Sequence, residues 1–312
     1  MKILVTGGCG YIGTNLVKKL LSIGHEVIVV DSQWFGNYLV KQKKLKIIKS
    51  DIRNIENYKN SFKGVHTVIH LANIANDLSV ELEPNLSWET NVLASKQLIE
   101  KSIEFKVKKF VYASSGSVYG LKKDRKVVET MDLKPISLYN KTKMISERVL
   151  MSYQDEIDIY CIRPATVCGV SKRMRLDLTV NILTYNAIKN NIINVFGGQQ
   201  VRPNIHMTDM VDIYCFLVKK KIPPGIYNAG FENMSVISIA KLVSNITGAK
   251  INIKKSNDPR SYRLDSSKLL KQGFKPKFGV KFGIDDVINF IKSNKIKKSF
   301  FSVNWLKNSQ VK

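Results

Sequence analysis

Residues 1–13 read MKILVTGGCGYIG. Met1 to Thr6 is a short apolar run that predicts a strand, and from Ile12 the apolar residues Leu16, Val17, Leu20 and Leu21 recur at helical spacing. Gly7, Gly10 and Gly13 therefore fall where strand turns into helix, with Tyr11 and Ile12 between the last two. Such a turn is predicted to hold a dinucleotide pyrophosphate. A side chain there would keep the phosphates off the backbone N–H groups, and the helix N-terminus offers unpaired donors and a partial positive charge. Three glycines alone carry little weight; their place between strand and helix at the start of an α/β chain gives them meaning.

Outward from that turn, strand and helix patterns alternate, which predicts a doubly wound parallel sheet. His25 to Val30 (HEVIVV) is a buried-type strand ending at Asp31. An acid about 20 residues beyond the glycine turn can accept hydrogen bonds from ribose hydroxyls and repels a 2′-phosphate, so NAD is expected over NADP. Lys46 to Ser50 ends in a second acid, Asp51, which with Ile52 is placed beside the adenine. Thr67 to Ala72 (TVIHLA) is a fourth strand, on which His70 reads as a core histidine rather than a base. A long helical stretch runs from Leu86 to Phe105 and carries Asn91 near its start. Lys109 to Ala113 leads into Ser114-Ser115-Gly116-Ser117, small hydroxyl residues at the carboxyl end of a strand, where open α/β sheets bind ligands.

Tyr139 and Lys143 follow on a predicted helix, four residues apart and so on one face. A tyrosine can remove a hydroxyl proton only if its pKa falls from about 10 toward neutrality, and a neighbouring ammonium favours the phenolate. Tyr139 and Lys143 supply such a pair, and Ser115 is placed to orient the alcohol. By itself the pair reads equally as ordinary helix surface; the glycine turn, Asp31 and the strand-end serines, in that order, favour the chemical reading.

The rest of the chain bounds the reading. A length of 312 residues allows about two domains on a prior of ~150 each. Residues 1–168 are expected to form the dinucleotide-binding domain and 169–312 a smaller substrate-binding lobe interleaved with the sheet. The net charge of +25 invites a nucleic-acid partner, but the lysines are spread through nearly every segment among abundant Asn and Ile, so the expectation is a solvated basic surface and no nucleic-acid site. No apolar run approaches the ~20 residues of a membrane span and the first strand begins within two residues, so a cytoplasmic protein without a membrane partner is expected. Cys9, Cys161, Cys168 and Cys215 lack CxxC or CxxH spacing, which suggests neither a metal site nor a disulfide framework.

The motifs taken together, Gly7-x-x-Gly10-x-x-Gly13, Asp31, Asp51-Ile52, His70-Leu71-Ala72, Asn91-Val92, Ser114 to Gly120, Tyr139-x-x-x-Lys143, Arg163-Pro164 and Arg202 to His206, span nearly the whole chain. In them the chain resembles the extended short-chain dehydrogenases/reductases, specifically the NAD-dependent nucleotide-sugar epimerases and dehydratases. The resemblance implies a Rossmann sheet with a substrate lobe, NAD as cofactor, a nucleotide-diphosphate sugar as substrate, and a homodimer. It also implies roles. Tyr139 is the base, Lys143 lowers its pKa and binds the nicotinamide ribose, and Ser115 bonds the sugar oxygen. Leu71, Ala72 and Asn91 line the cofactor cleft, while Arg202 and Arg260 face the nucleotide diphosphate.

Two departures from the family pattern bear on substrate and reaction. Dehydratases of this group carry an Asp-Glu pair where this chain has Gly116 and Ser117, which disfavours dehydration. The usual His-Leu-Ala-Ala is here His70-Leu71-Ala72-Asn73, placing a larger polar group near the sugar. The leading expectation is a nucleotide-sugar 4-epimerase. A 4-dehydrogenase or ketoreductase on a similar substrate stays open, because both need the same first half-reaction and because Arg163 to Leu178 resembles a subgroup that includes 4-dehydrogenases.

Overall fold

The computed structural model describes residues 1–124, 126–255, 261–297 and 300–301. Its first part runs β1 (Lys2–Thr6), α1 (Tyr11–Ser22), β2 (Glu26–Asp31), β3 (Leu45–Lys49), β4 (Thr67–His70), α2 (Asp77–Leu82), α3 (Pro84–Trp88), α4 (Ala94–Glu104), β5 (Lys109–Ala113), α5 (Leu138–Met151) and β6 (Asp158–Pro164). The second part runs β7 (Thr166–Cys168), α6 (Thr179–Asn190), β8 (Ile192–Phe196), β9 (Val201–His206), α7 (Met207–Lys219), β10 (Gly225–Ala229), β11 (Glu232–Ser235), α8 (Val236–Thr247), β12 (Lys250–Lys254), α9 (Ser267–Lys271) and α10 (Val280–Ser293).

Seven parallel strands form one sheet in the order β3-β2-β1-β4-β5-β6-β10. Its central strands are apolar runs buried on both faces; every residue of β4 and β5 is buried. That pattern requires helices on each side. On one face Leu16, Val17 and Leu20 of α1 pack with Met210 and Val211 of α7. On the other, Leu98 and Ile99 of α4 and Leu150 of α5 cover Val68, Phe110 and Ile159. Each such side chain stabilises the fold by about 1.5–3 kcal/mol relative to exposure. The strand order reverses between β1 and β4, which opens a crevice beyond their carboxyl ends.

The lobe has two small sheets, β11-β9-β7 and the parallel pair β12-β8, around a core that includes Leu183, Val195, Ile239, Val243 and Ile284. A division at residue 168 does not follow the strand pairing. Ala165 N–H still bonds Ala229 O beside the large sheet, but β7, from residue 166, pairs with β9 of the lobe. In the other direction, β10 returns to the large sheet beside β6, and α7 lies on α1.

The helical stretch expected over 86–105 is interrupted: α3 passes into a single π-helical turn, Glu89–Leu93, before α4. Such turns are frequent at functional sites, and this one carries Asn91. His70 is the core histidine expected. It is 1% exposed between Thr6 Oγ1 at 2.6 Å and Ser95 Oγ at 2.8 Å, and burial lowers its pKa to about 3. The four cysteines are buried thiols. Among the described residues no helix is long and apolar enough to cross a membrane.

Candidate active site

The glycine turn is built by close approach. A Cβ on Gly7 would lie 2.6 Å from Ala72 N, so this glycine lets the end of β1 meet the end of β4; its φ of +74° also suits glycine. A Cβ on Gly13 would lie 2.2 Å from Gly7 O, so the third glycine lets α1 sit directly on the turn. Gly8, which the motif leaves unspecified, is equally constrained, with both Val29 γ-carbons 2.7 Å from its notional Cβ. Gly10 caps α1 without a side-chain hydrogen bond, and the first bond back to it comes from Thr14 N–H. The N–H groups of Tyr11, Ile12 and Gly13 thus occupy the turn for which a helix has no internal acceptors. Asp31 braces the turn, accepting from Cys9 N–H at 2.9 Å and Gln33 N–H at 2.7 Å. Burial pushes its carboxyl above the usual range, while those two bonds and the charge of Arg173 act the other way.

One cavity of about 510 Å³ extends from this turn to the lobe. Gly7, Gly10, Tyr11, Ile12, Gly13 and Asp31 line it, as do Asp51, Ile52, Leu71, Ala72 and Asn73. Farther along it are Ser115, Ser117, Tyr139, Lys143 and Arg202. Asn91 and Gly116 are not among its lining residues, and Arg260 lies outside the described residues. Asn91 stands behind the wall, where its amide accepts from Ile74 N–H at 2.8 Å and donates to Ile74 O at 3.1 Å, fixing the loop after β4. Gly116 is buried in a turn where a Cβ would meet Leu264 Cδ1 at 2.8 Å and Pro164 O at 3.0 Å. Asp51 is paired with Arg53, Oδ2 to Nη2 2.9 Å.

The helix that bears Tyr139 and Lys143 starts at Ser137, whose Oγ accepts from Asn140 N–H and donates to Asp77 Oδ1 at 2.5 Å. Tyr139 and Lys143 lie one turn apart on it. Lys143 is 1% exposed, donates from Nζ to Ala113 O at 2.7 Å, and stands 4.8 Å from the centre of the Tyr112 ring. One turn further, Glu147 forms a buried pair with Arg163 of β6, which ties α5 to the sheet.

Burial pushes the Tyr139 phenol up to about 12, and the charge that opposes this most strongly is that of Arg175. Lys143 is engaged with the Ala113 carbonyl, and Arg175, held by Asp177 at 2.7 Å in the crevice wall, adds a positive charge that opposes the rise of the phenol. Nothing local marked Arg175. The run Arg173 to Asp177 reads as a charged loop, and only the tertiary fold brings it to Tyr139. Arg173, two residues before Arg175, is buried, with Cζ 3.9 Å from the centre of the Phe35 ring.

Burial lowers the Lys143 ammonium to about 7, well below the ordinary lysine value of 10.5. Between these two values the folded chain binds fewer protons than the unfolded one, so this residue makes stability rise with pH across the window; its penalty is greatest below pH 7. Lys143→Met should therefore stabilise the nucleotide-stripped protein at about pH 6 by on the order of 2–4 kcal/mol. The gain should fade toward pH 10.5 in urea titrations, and a gain independent of pH would refute the assignment.

A glycine turn at the reversal point of a doubly wound sheet, with a serine at the end of a nearby strand and a Tyr–Lys pair on the helix beyond, is the arrangement of short-chain dehydrogenases/reductases. The chain belongs to the NAD dependent epimerase/dehydratase family, which it matches over residues 3–230. The putative UDP-glucose 4-epimerase of Methanocaldococcus jannaschii is 29% identical over 303 residues, 94% of this chain and 99% of that one. The UDP-glucose 4-epimerase of Thermotoga maritima, solved with UDP-glucose, superposes with a TM-score of 0.85 at 29% identity, covering 94% of this chain and 99% of that one. TunA, an NAD dependent NDP-hexosamine 5,6-dehydratase involved in tunicamycin biosynthesis, superposes with a TM-score of 0.86 at 25% identity, covering 95% and 99%.

Proposed function

We propose that the protein is an NAD-dependent nucleotide-sugar 4-epimerase with a UDP-sugar as the leading substrate class. The observation that carries this is the single cavity. It joins the glycine turn to Ser115, Tyr139 and Lys143 and then to Arg202 of the lobe, so cofactor and sugar nucleotide share one space. The names of the relatives point the same way. The residues fit the cofactor: the turn leaves no room for side chains that would hold a pyrophosphate off the backbone, and Asp31 stands where a ribose hydroxyl would be received.

Bound there, NAD supplies hydride acceptance and return. Tyr139 takes the proton of the 4-hydroxyl and later gives it back, aided by the positive charge of Arg175. Ser115 holds the sugar oxygen beside the phenol. Lys143 stays buried against Ala113 O, one turn from Tyr139, and binds the ribose of the nicotinamide half. Leu71, Ala72, Asp51 and Ile52 line the cofactor's part of the cavity, Asn73 and Ser117 the sugar's, and Arg202 meets the diphosphate. Dehydration has no acid at position 116, where any side chain would strike Leu264 and Pro164 O. A homodimer, cytoplasmic location and supply of glycan precursors belong to the same reading.

The purified protein is expected to carry NAD and to convert UDP-glucose or a related nucleotide sugar into its 4-epimer without net NADH, as followed by NMR and absorbance. A stable keto product with stoichiometric NADH would replace epimerisation with net oxidation.

A further inference from the structure

The cavity passes between two segments that lie outside the motifs. One is the loop after β2, which turns sharply at Gln33 and Gly36. Their φ values are +58° and +87°, and Gly36 N–H donates to Gln33 O at 2.9 Å. Positive φ is uncommon for a residue such as Gln33, so the turn is held by its surroundings, among them the Asp31 carboxylate that accepts from Gln33 N–H. It presents Trp34 and Phe35 to the cavity, in a cluster with Ile74, Leu138 and Tyr139.

The other is the segment 169–178, from the end of β7 to the start of α6. Its first end is tied to α1, where Tyr11 Oη donates to Gly169 O at 2.7 Å and Asn15 Nδ2 to Val170 O at 2.8 Å. Farther on, Asn181 Nδ2 of α6 donates to Arg175 O at 2.8 Å and to the Tyr11 oxygen at 3.1 Å. Between these anchors Arg173 crosses to the loop after β2 and places its guanidinium carbon 3.9 Å from the centre of the Phe35 ring. Both residues line the cavity, and Arg173 is 4% exposed. A guanidinium is weakly hydrated and is attracted to an aromatic face, the more so when desolvated.

These contacts close a circuit. From Asp31 it runs through Phe35 to Arg173, back along the segment to Tyr11 and Asn15 of α1, and through the glycine turn to Cys9 N–H, which donates to Asp31 again. The segment also follows the length of the cavity, since the charge of Arg173 acts on Asp31 and that of Arg175 on Tyr139.

We propose that Phe35 and Arg173 are the latch of this circuit, and that NAD held in the glycine turn exchanges with solution only when their contact opens. This rests on NAD occupying the cavity as in the reading above. An epimerase must return the hydride it takes, so a cofactor kept in place through both half-reactions serves it.

The test loads the protein with NAD, chases with excess deuterated NAD and follows the bound mixture by mass spectrometry. Phe35→Ala and Arg173→Met should each exchange about 10-fold faster than wild type. The double variant should be no more than about 2-fold faster than the quicker single one, because both substitutions remove the same contact. Lys172→Met, which removes an exposed charge beside Arg173, should stay within about 2-fold of wild type.

Unchanged exchange in Phe35→Ala overturns the latch. So does a double variant near about 100-fold, which would mean that the two residues act apart. If the wild-type protein neither retains nor takes up NAD, the cofactor reading and the latch fall together; NAD held equally long by wild type and both single variants removes the latch alone.

Discussion

Tyr139→Phe is expected to lower kcat by about 10³-fold or more while leaving NAD in place, since general acid–base groups typically supply 10²–10⁴. The phenol lies in the cavity at the start of α5, where its oxygen is hydrogen-bonded to the Ser115 side chain, and its removal leaves the ring in place. Arg175 stays anchored to Asp177, and Lys143 to Ala113 O. The defect should therefore appear in turnover and not in cofactor retention, which the absorbance of the purified variant reads directly. Residual activity within about 10-fold of wild type would remove Tyr139 from the mechanism and leave the fold assignment untouched.

Gly13→Ala should do the reverse and abolish NAD binding before chemistry is reached. The added carbon would sit 2.2 Å from Gly7 O and 2.7 Å from Gly8 Cα. Both are backbone atoms of the same turn and cannot swing aside like the end of a side chain. Either α1 lifts from the turn or the turn opens, and each outcome removes the N–H groups from the pyrophosphate. A loss of at least about 3 kcal/mol of stability accompanies it, at the upper end of overpacking effects. Gly24→Ala is the matched control: its φ is +91° but no atom lies within 4 Å of a Cβ there. That variant should lose only about 1 kcal/mol and keep its NAD. Equal NAD content in the two variants would contradict the cradle described above.

Much of the sheet was legible because strands buried on both faces appear as uninterrupted apolar runs, as EVIVVD and KFVYA do. The lobe was less so. β9 contains Pro203 and alternates, and it reads as a strand only once β7 and β11 lie on either side. α2 was hidden because Leu78, Val80 and Leu82 alternate with Ser79 and Glu81 at a strand-like period of two, and of the three only Val80 is buried in the structure. In the site, Ser115, Tyr139 and Lys143 stand at spacings that carry their own chemistry. Arg175 does not: its charge bears on the Tyr139 phenol only because the tertiary fold brings the loop before α6 to α5, and no local pattern encodes that.

The return of β10 to the edge of the large sheet also sets an order of events during synthesis. When Pro164 leaves the ribosome, the outer edge of β6 has no neighbour, and its permanent partner begins only at Gly225. For the time needed to make the intervening segment, about 3–12 s at 5–20 residues per second, that edge is open to pairing with another nascent chain. Within the interval α7 is completed and can settle on α1, which brings the chain back toward the open edge before β10 emerges.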